Sequence, residues 1–143
     1  MIRGKRPVED EVTLEFGVPY SAALIKKLEL KNTTHQGIDF GCEVGTPCMA
    51  YKEGYIQMAG TADGYGNRIW LYCDVPNEKK PIRVLYAHLS RISVAQGQHV
   101  KEGQIIGLTG QSGKVSAPHL HFEIRQLPED IAIKPLFYLK GGQ

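Results

Sequence analysis

The sequence predicts an all-β fold class, a β-rich domain with one minor helix. Three observations carry that reading. Sixteen glycines and eight prolines punctuate 143 residues, a density of turn formers that cuts a chain into short segments. The apolar runs between them are short and alternate with period two, as half-buried strands do. Only one stretch, residues 21–30, places its apolar residues near helical spacing. The length fits a single domain. A chain of this size buries about 68% of its unfolded surface, enough for a core of its own.

Taken in order, residues 1–11 are polar and are expected to form a flexible, frayed N-terminus, leaving 12–143 as the folded domain. Val12–Phe16 alternates as a strand that ends at Gly17. Ser21–Leu30 reads as a short helix, with Ala22, Leu24, Ile25 and Leu28 on its apolar side and Ser21 as its N-cap. From His35 onward glycines recur at 37, 41, 45, 54, 60, 64 and 66. Tyr55–Ala59 and Arg68–Cys73 read as strands joined through 62–66. The polar Cys73–Lys80 connection leads to a strand at Arg83–Leu89 as a hairpin. Residues 97–108 give a Gly-bounded turn and a short apolar strand. Leu120–Ile124 is the last clear strand, and Pro135–Leu139 packs the C-terminus.

Seventeen Lys and Arg against fifteen Asp and Glu leave a net charge of +2. That argues against a nucleic-acid partner and leaves an acidic polymer such as a bacterial wall open. No run approaches the roughly 18 apolar residues of a membrane span. The basic opening Arg3-Gly4-Lys5-Arg6 is followed by no apolar stretch, so no signal peptide is expected. Cys42, Cys48 and Cys73 form no CxxC pair and are expected to be reduced, buried thiols.

The histidines carry the chemistry. In Pro118-His119-Leu120-His121-Phe122-Glu123-Ile124-Arg125, strand alternation turns Leu120, Phe122 and Ile124 into a core. It turns His119, His121, Glu123 and Arg125 the other way, the two imidazoles about 7 Å apart by strand rise. In His35-Gln36-Gly37-Ile38-Asp39-Phe40, Ile38 and Phe40 face a core and Asp39 faces away. Gly37 lets the chain bend so that His35 folds back beside Asp39. An imidazole and a carboxylate are both ligands for Zn²⁺. In Val84–Leu89, Leu85, Ala87 and Leu89 are expected to form the buried face, with Val84, Tyr86 and His88 opposite. His99 lies in a Gly-bounded turn and reads as a solvated residue without a role. Each motif alone also suits ordinary surface histidines. Together they offer a catalytic zinc site its three ligands, plus spare imidazoles for acid–base work.

These residues resemble the lysostaphin-type, or LytM-domain, zinc metallopeptidases, which cut peptide bonds in bacterial peptidoglycan. The likeness spans about residues 12–139. It runs through Phe16-Gly17, His35–Phe40, Val44–Pro47, Gly64–Asn67, Leu85–Ser90, Gly97–Val100, Gly103–Gly107 and Pro118–Glu123. It implies a twisted antiparallel sheet with a narrow, loop-walled groove, of barrel-sandwich-hybrid type. It implies one Zn²⁺ on His35, Asp39 and His121, with His88 and His119 as catalytic histidines. His119 would accept a proton from water and His88 would stabilise the oxyanion, or the coupled pair would exchange these roles. Glu123 would either support His121 or pair with Arg125 or Lys114.

Departures lie at Cys42-Glu43, Cys48, the Cys73–Lys80 connection and the segment between Phe16 and His35. In the family such loops wall the groove, so peptide preference is what they put in question. The implied partner is peptidoglycan peptide, with a monomer the simplest state. The implied place of action is the cell wall, reached from outside or, for a phage endolysin, from the host cytoplasm through a holin pore. Three other readings exist. A biotinyl or lipoyl carrier domain would need an exposed acceptor Lys, and Lys101 and Lys114 lack its sequence context. A phosphocarrier-like β-domain with paired histidines would need no metal. A non-catalytic wall-binding or activator module would not need all five residues.

Overall fold

The computed structural model describes residues 3–29, 34–74, 78–113, 115 and 117–140. Leu30, residues 75–77 of the polar connection and Lys114 lie outside the described residues. Ten strands run as β1 (Val12–Leu14), β2 (Ile38–Phe40), β3 (Pro47–Met49), β4 (Gly54–Ala62), β5 (Gly66–Cys73), β6 (Ile82–Ile92), β7 (His99–Val100), β8 (Ile105–Thr109), β9 (Leu120–Gln126) and β10 (Ile131–Ile133). One helix, α1 (Ala22–Leu28), and a 3₁₀ turn, Pro135–Tyr138, complete the elements among the described residues. Every strand pairing is antiparallel. The sheet order is β1-β2-β9-β6-β5-β4-β7, with β10 beside β9 and β8 joining β3 to β6.

Register decides what each face carries. Ile38 pairs with Phe122, Phe122 with Tyr86 and Tyr86 with Ile69, a row of large apolar side chains across four strands. Val84 lies between Ile124 and Leu71 in the next row of that face. These residues form the main core, where Phe122 meets Phe40 and Tyr86 edge to face at 6.2 and 5.3 Å. The interleaved rows turn the other way. Asp39 pairs with His121 and His121 with Ala87; Glu123 pairs with Leu85 and Leu85 with Trp70. Leu85, Ala87 and Trp70 form a second, smaller cluster on that face.

Three expectations change here. Val84 and Tyr86 face the main core, and Leu85 and Ala87 face the site side, the reverse of the alternation read from Val84–Leu89. Both faces of this strand are covered, so polarity does not mark its phase. A bulge then corrects His88. Asn67 pairs with Leu89 but Ile69 with Tyr86, so β6 carries one extra residue between them. His88 takes a left-handed φ of 64° there, and Leu89 resumes on the core face.

Residues 3–11 are packed rather than frayed. Val8 is buried in the core, Gly4 bridges to Leu139, and Arg6 stacks on Phe40. The role of Gly37 is also different: a Cβ there would lie 2.2 Å from the Phe122 carbonyl oxygen, so the glycine permits close approach of β2 to β9. The helix begins as read, with the Ser21 hydroxyl accepting from the Leu24 amide at 3.1 Å. All three cysteines are buried and unpaired.

Candidate metal centre and its groove

The site lies on the polar face, where β2 and β9 run side by side. Cross-strand pairing sets Asp39 opposite His121. His35 comes from the loop before β2 and reaches the same point. Its Nδ1 donates to the Glu15 carbonyl at 2.9 Å, which leaves Nε2 as an acceptor. That Nε2 lies 2.9 Å from Asp39 Oδ1 and 3.1 Å from His121 Nδ1, and His121 Nδ1 lies 2.9 Å from Asp39 Oδ1. Two ring nitrogens and a carboxylate oxygen therefore converge on one point, all three residues buried. Two of the three are acceptors, so something positive must lie between them. A proton on His121 or a metal ion meets that need, and two imidazoles with one carboxylate are a donor set suited to Zn²⁺.

Charge around the cluster is consistent with this. Burial opposes ionisation of Asp39, yet the hydrogen bond from His121 and the charge of that ring outweigh it and hold the carboxyl well below its ordinary value. Burial would push His121 down. Its hydrogen bonds to the Asp39 and Glu123 carboxylates outweigh that and raise it to about 9. In the absence of a metal, His121 thus keeps a proton where a metal would sit.

Glu123 anchors the other nitrogen of His121, with Nε2 to Oε2 at 2.7 Å. Its second oxygen accepts from Arg125 Nε at 2.8 Å, and Tyr65 donates its hydroxyl at 3.3 Å. The two expectations for Glu123, support of His121 and pairing with Arg125, are thus met together. Such a carboxylate fixes the ring's tautomer and its orientation.

The remaining two histidines stand at the open side. His119 lies just before β9, bridged to Gly110. Its Nδ1 donates to the Ala117 carbonyl at 3.0 Å, and its Nε2 lies 3.5 Å from Asp39 Oδ2. His88 Nδ1 donates to the Ser112 carbonyl at 2.7 Å. Burial, together with the neighbouring His121 and His119, pushes His88 down to about 3. The two rings meet edge to face, centroids 5.0 Å apart. His99 is exposed and pairs with Glu53 at 3.2 Å, apart from all of this.

All four site histidines' partners include backbone carbonyls or residues far along the chain, which leave no local mark in the sequence. Tyr20 and Tyr65 also line the site; Tyr20 meets His35 edge to face and Tyr65 stacks on His121. The groove that holds these groups has a volume of about 550 Å³. One wall comes from β1 and α1, through Leu14, Tyr20, Leu24 and Leu28. Val115 and Pro118 lie on its margin as well.

Two imidazole nitrogens and a carboxylate oxygen converge beside a second imidazole pair, in an open groove on an antiparallel sheet, and make a candidate metal site whose donor set suits hydrolytic chemistry. The chain belongs to peptidase family M23, whose family model matches residues 33–135. It is 41% identical over 118 residues to the glycyl-glycine endopeptidase ALE-1 of Staphylococcus capitis, covering 80% of this chain and 32% of that protein. It is 41% identical over 91 residues to the DD-carboxypeptidase/endopeptidase Mpg of Neisseria meningitidis, covering 64% of this chain and 20% of that one. The structure matches the solved catalytic domain of the antimicrobial peptidase lysostaphin from Staphylococcus simulans. The TM-score is 0.75 at 34% identity, over 90% of this chain and 91% of that one. The chain spans a fifth to a third of the length of the curated relatives named here.

Proposed function

We propose that this domain is a zinc-dependent endopeptidase that hydrolyses peptide bonds of bacterial peptidoglycan, acting at the cell wall. The observation that carries the reading is the convergence of His35, Asp39 and His121 within 3.1 Å of one another, in a groove that His88 and His119 also line. Family membership and the wall peptidases among its relatives support the substrate class.

His35, Asp39 and His121 are the residues that would hold the metal. When bound, Zn²⁺ supplies Lewis acidity, polarising a carbonyl oxygen and acidifying water. His119 accepts the proton of the attacking water at Nε2, because its Nδ1 is committed to Ala117. The imidazolium so formed is stabilised by Asp39 Oδ2 at 3.5 Å. His88 is held neutral by burial, and its Nδ1–H is committed to Ser112, so Nε2 carries a lone pair. It becomes a donor to a developing oxyanion only once it has taken a proton. The pair therefore moves protons between water and leaving amine, rather than offering a fixed donor from the start.

The test is mass spectrometry of muropeptides released from purified peptidoglycan by zinc-loaded and by chelated protein. Zinc-dependent loss of cross-linked species is the expected result. Unchanged walls with zinc bound would overturn the peptidase reading.

A further inference from the structure

Family membership does not choose the bond, since the relatives include both a glycyl-glycine endopeptidase and a DD-carboxypeptidase/endopeptidase. Residues that differ between groove walls must choose it. The helix α1 precedes residue 33, outside the stretch that the family model matches. Leu24 and Leu28 are four apart on this helix and so share a face. Both line the same groove as Asp39, His88 and His121. Leu14 joins them from β1, where it pairs with Asp39 itself.

None of the three leucines is spent on the core. No residue of α1 is buried, and Leu14, Leu24 and Leu28 are each half-exposed. Val115 and Pro118 add further apolar surface to the groove. Apolar surface left half-wet beside a reaction centre gains free energy when a substrate side chain covers it. An all-glycine bridge has no side chain to do so, whereas an alanine presents a methyl. One methyl in an apolar pocket is worth about tenfold or more in discrimination.

We propose that the α1 wall makes this groove selective for alanine-containing cross-links over all-glycine bridges, with Leu24 and Leu28 as specificity-determining residues. The inference rests on the peptidase reading above. It is tested with two soluble muropeptide dimers, one cross-linked from D-alanine to diaminopimelate and one bridged by pentaglycine. The zinc-loaded protein is expected to cleave the first with a kcat/KM at least about tenfold higher. The double substitution Leu24→Ser, Leu28→Ser should lower that value about tenfold through KM and lower the pentaglycine value less, so that the preference falls. Calorimetric binding of the alanine dimer to zinc-free protein should weaken by the same factor. Leu24→Met, Leu28→Met keeps the wall apolar and should keep the preference. Faster cleavage of pentaglycine, or an equal loss on both dimers in the serine variant, overturns the inference. Cleavage of neither dimer overturns the peptidase reading beneath it.

Discussion

The two faces of the β2–β9–β6 sheet are made from the same strands and behave as two different materials. On one face Ile38, Phe122, Tyr86, Val84 and Ile124 are wholly buried among one another. Their contribution is spread over many weak contacts, none of which is directional. On the other face Asp39, His121 and Glu123 are also buried, yet each is held by named hydrogen bonds. Loss of one partner there leaves a buried polar group unsatisfied. Period-two alternation thus lets the same three strands supply scaffold and chemistry together. A one-residue slip would exchange the two faces.

Substitutions that separate the faces sharpen this contrast. The largest stability effect belongs to the apolar side: Phe122→Ala should cost about 3–5 kcal/mol in chemical denaturation. A cost below about 1 kcal/mol would mean that the core does not rest on this row. On the polar side, Glu123→Gln removes the charge that accepts from His121 Nε2. Zinc affinity, measured by competition with a chelator, should fall roughly 10–100-fold while the fold persists. A loss under about twofold would leave Glu123 as a partner of Arg125 alone.

The smallest effect lies on the same face but at the rim. Asp130 accepts two hydrogen bonds from Arg83, both at 2.7 Å, and Arg83 stacks on Trp70. Those hydrogen bonds hold the Asp130 carboxyl below its ordinary value of 3.8. Its contribution is therefore present above the ordinary carboxylate range and is lost as pH falls through the lowered folded value. The pair is partly solvent-exposed and screened, so Asp130→Asn should cost under about 1 kcal/mol near neutral pH, and less in acid. A cost that grows on acidification would reverse the sign.

The contrast between faces also explains what could be read in the sequence. Ile38-Asp39-Phe40 and Leu120–Ile124 alternate cleanly because one of their faces is polar, and there the phase was legible. Val84–Leu89 is buried on both faces, so its alternation carries no phase information. The bulge at His88 has no glycine to announce it; the extra residue shows only in pairing with β5. Residues 3–11 read as polar, but Val8 joins the core and Gly4 and Arg6 are held by Leu139 and Phe40, far along the chain. The last strand, β10, follows a tight connection after β9, and its three residues are too few to show an alternation. His35, Asp39 and His121 were nameable from motif and resemblance. Glu15 and Ser112, the partners of His35 and His88, act through backbone carbonyls, which no side-chain pattern marks.

The central claim is that ligands and proton carriers are divided between two sets of histidines. The direct test is zinc content and muropeptide cleavage, measured side by side in His121→Ala and His119→Ala. His121→Ala should lose bound zinc and activity together. His119→Ala should keep one zinc and lose roughly 10²–10⁴-fold in rate. Retention of zinc by His121→Ala, or near-full activity in His119→Ala, would contradict the division.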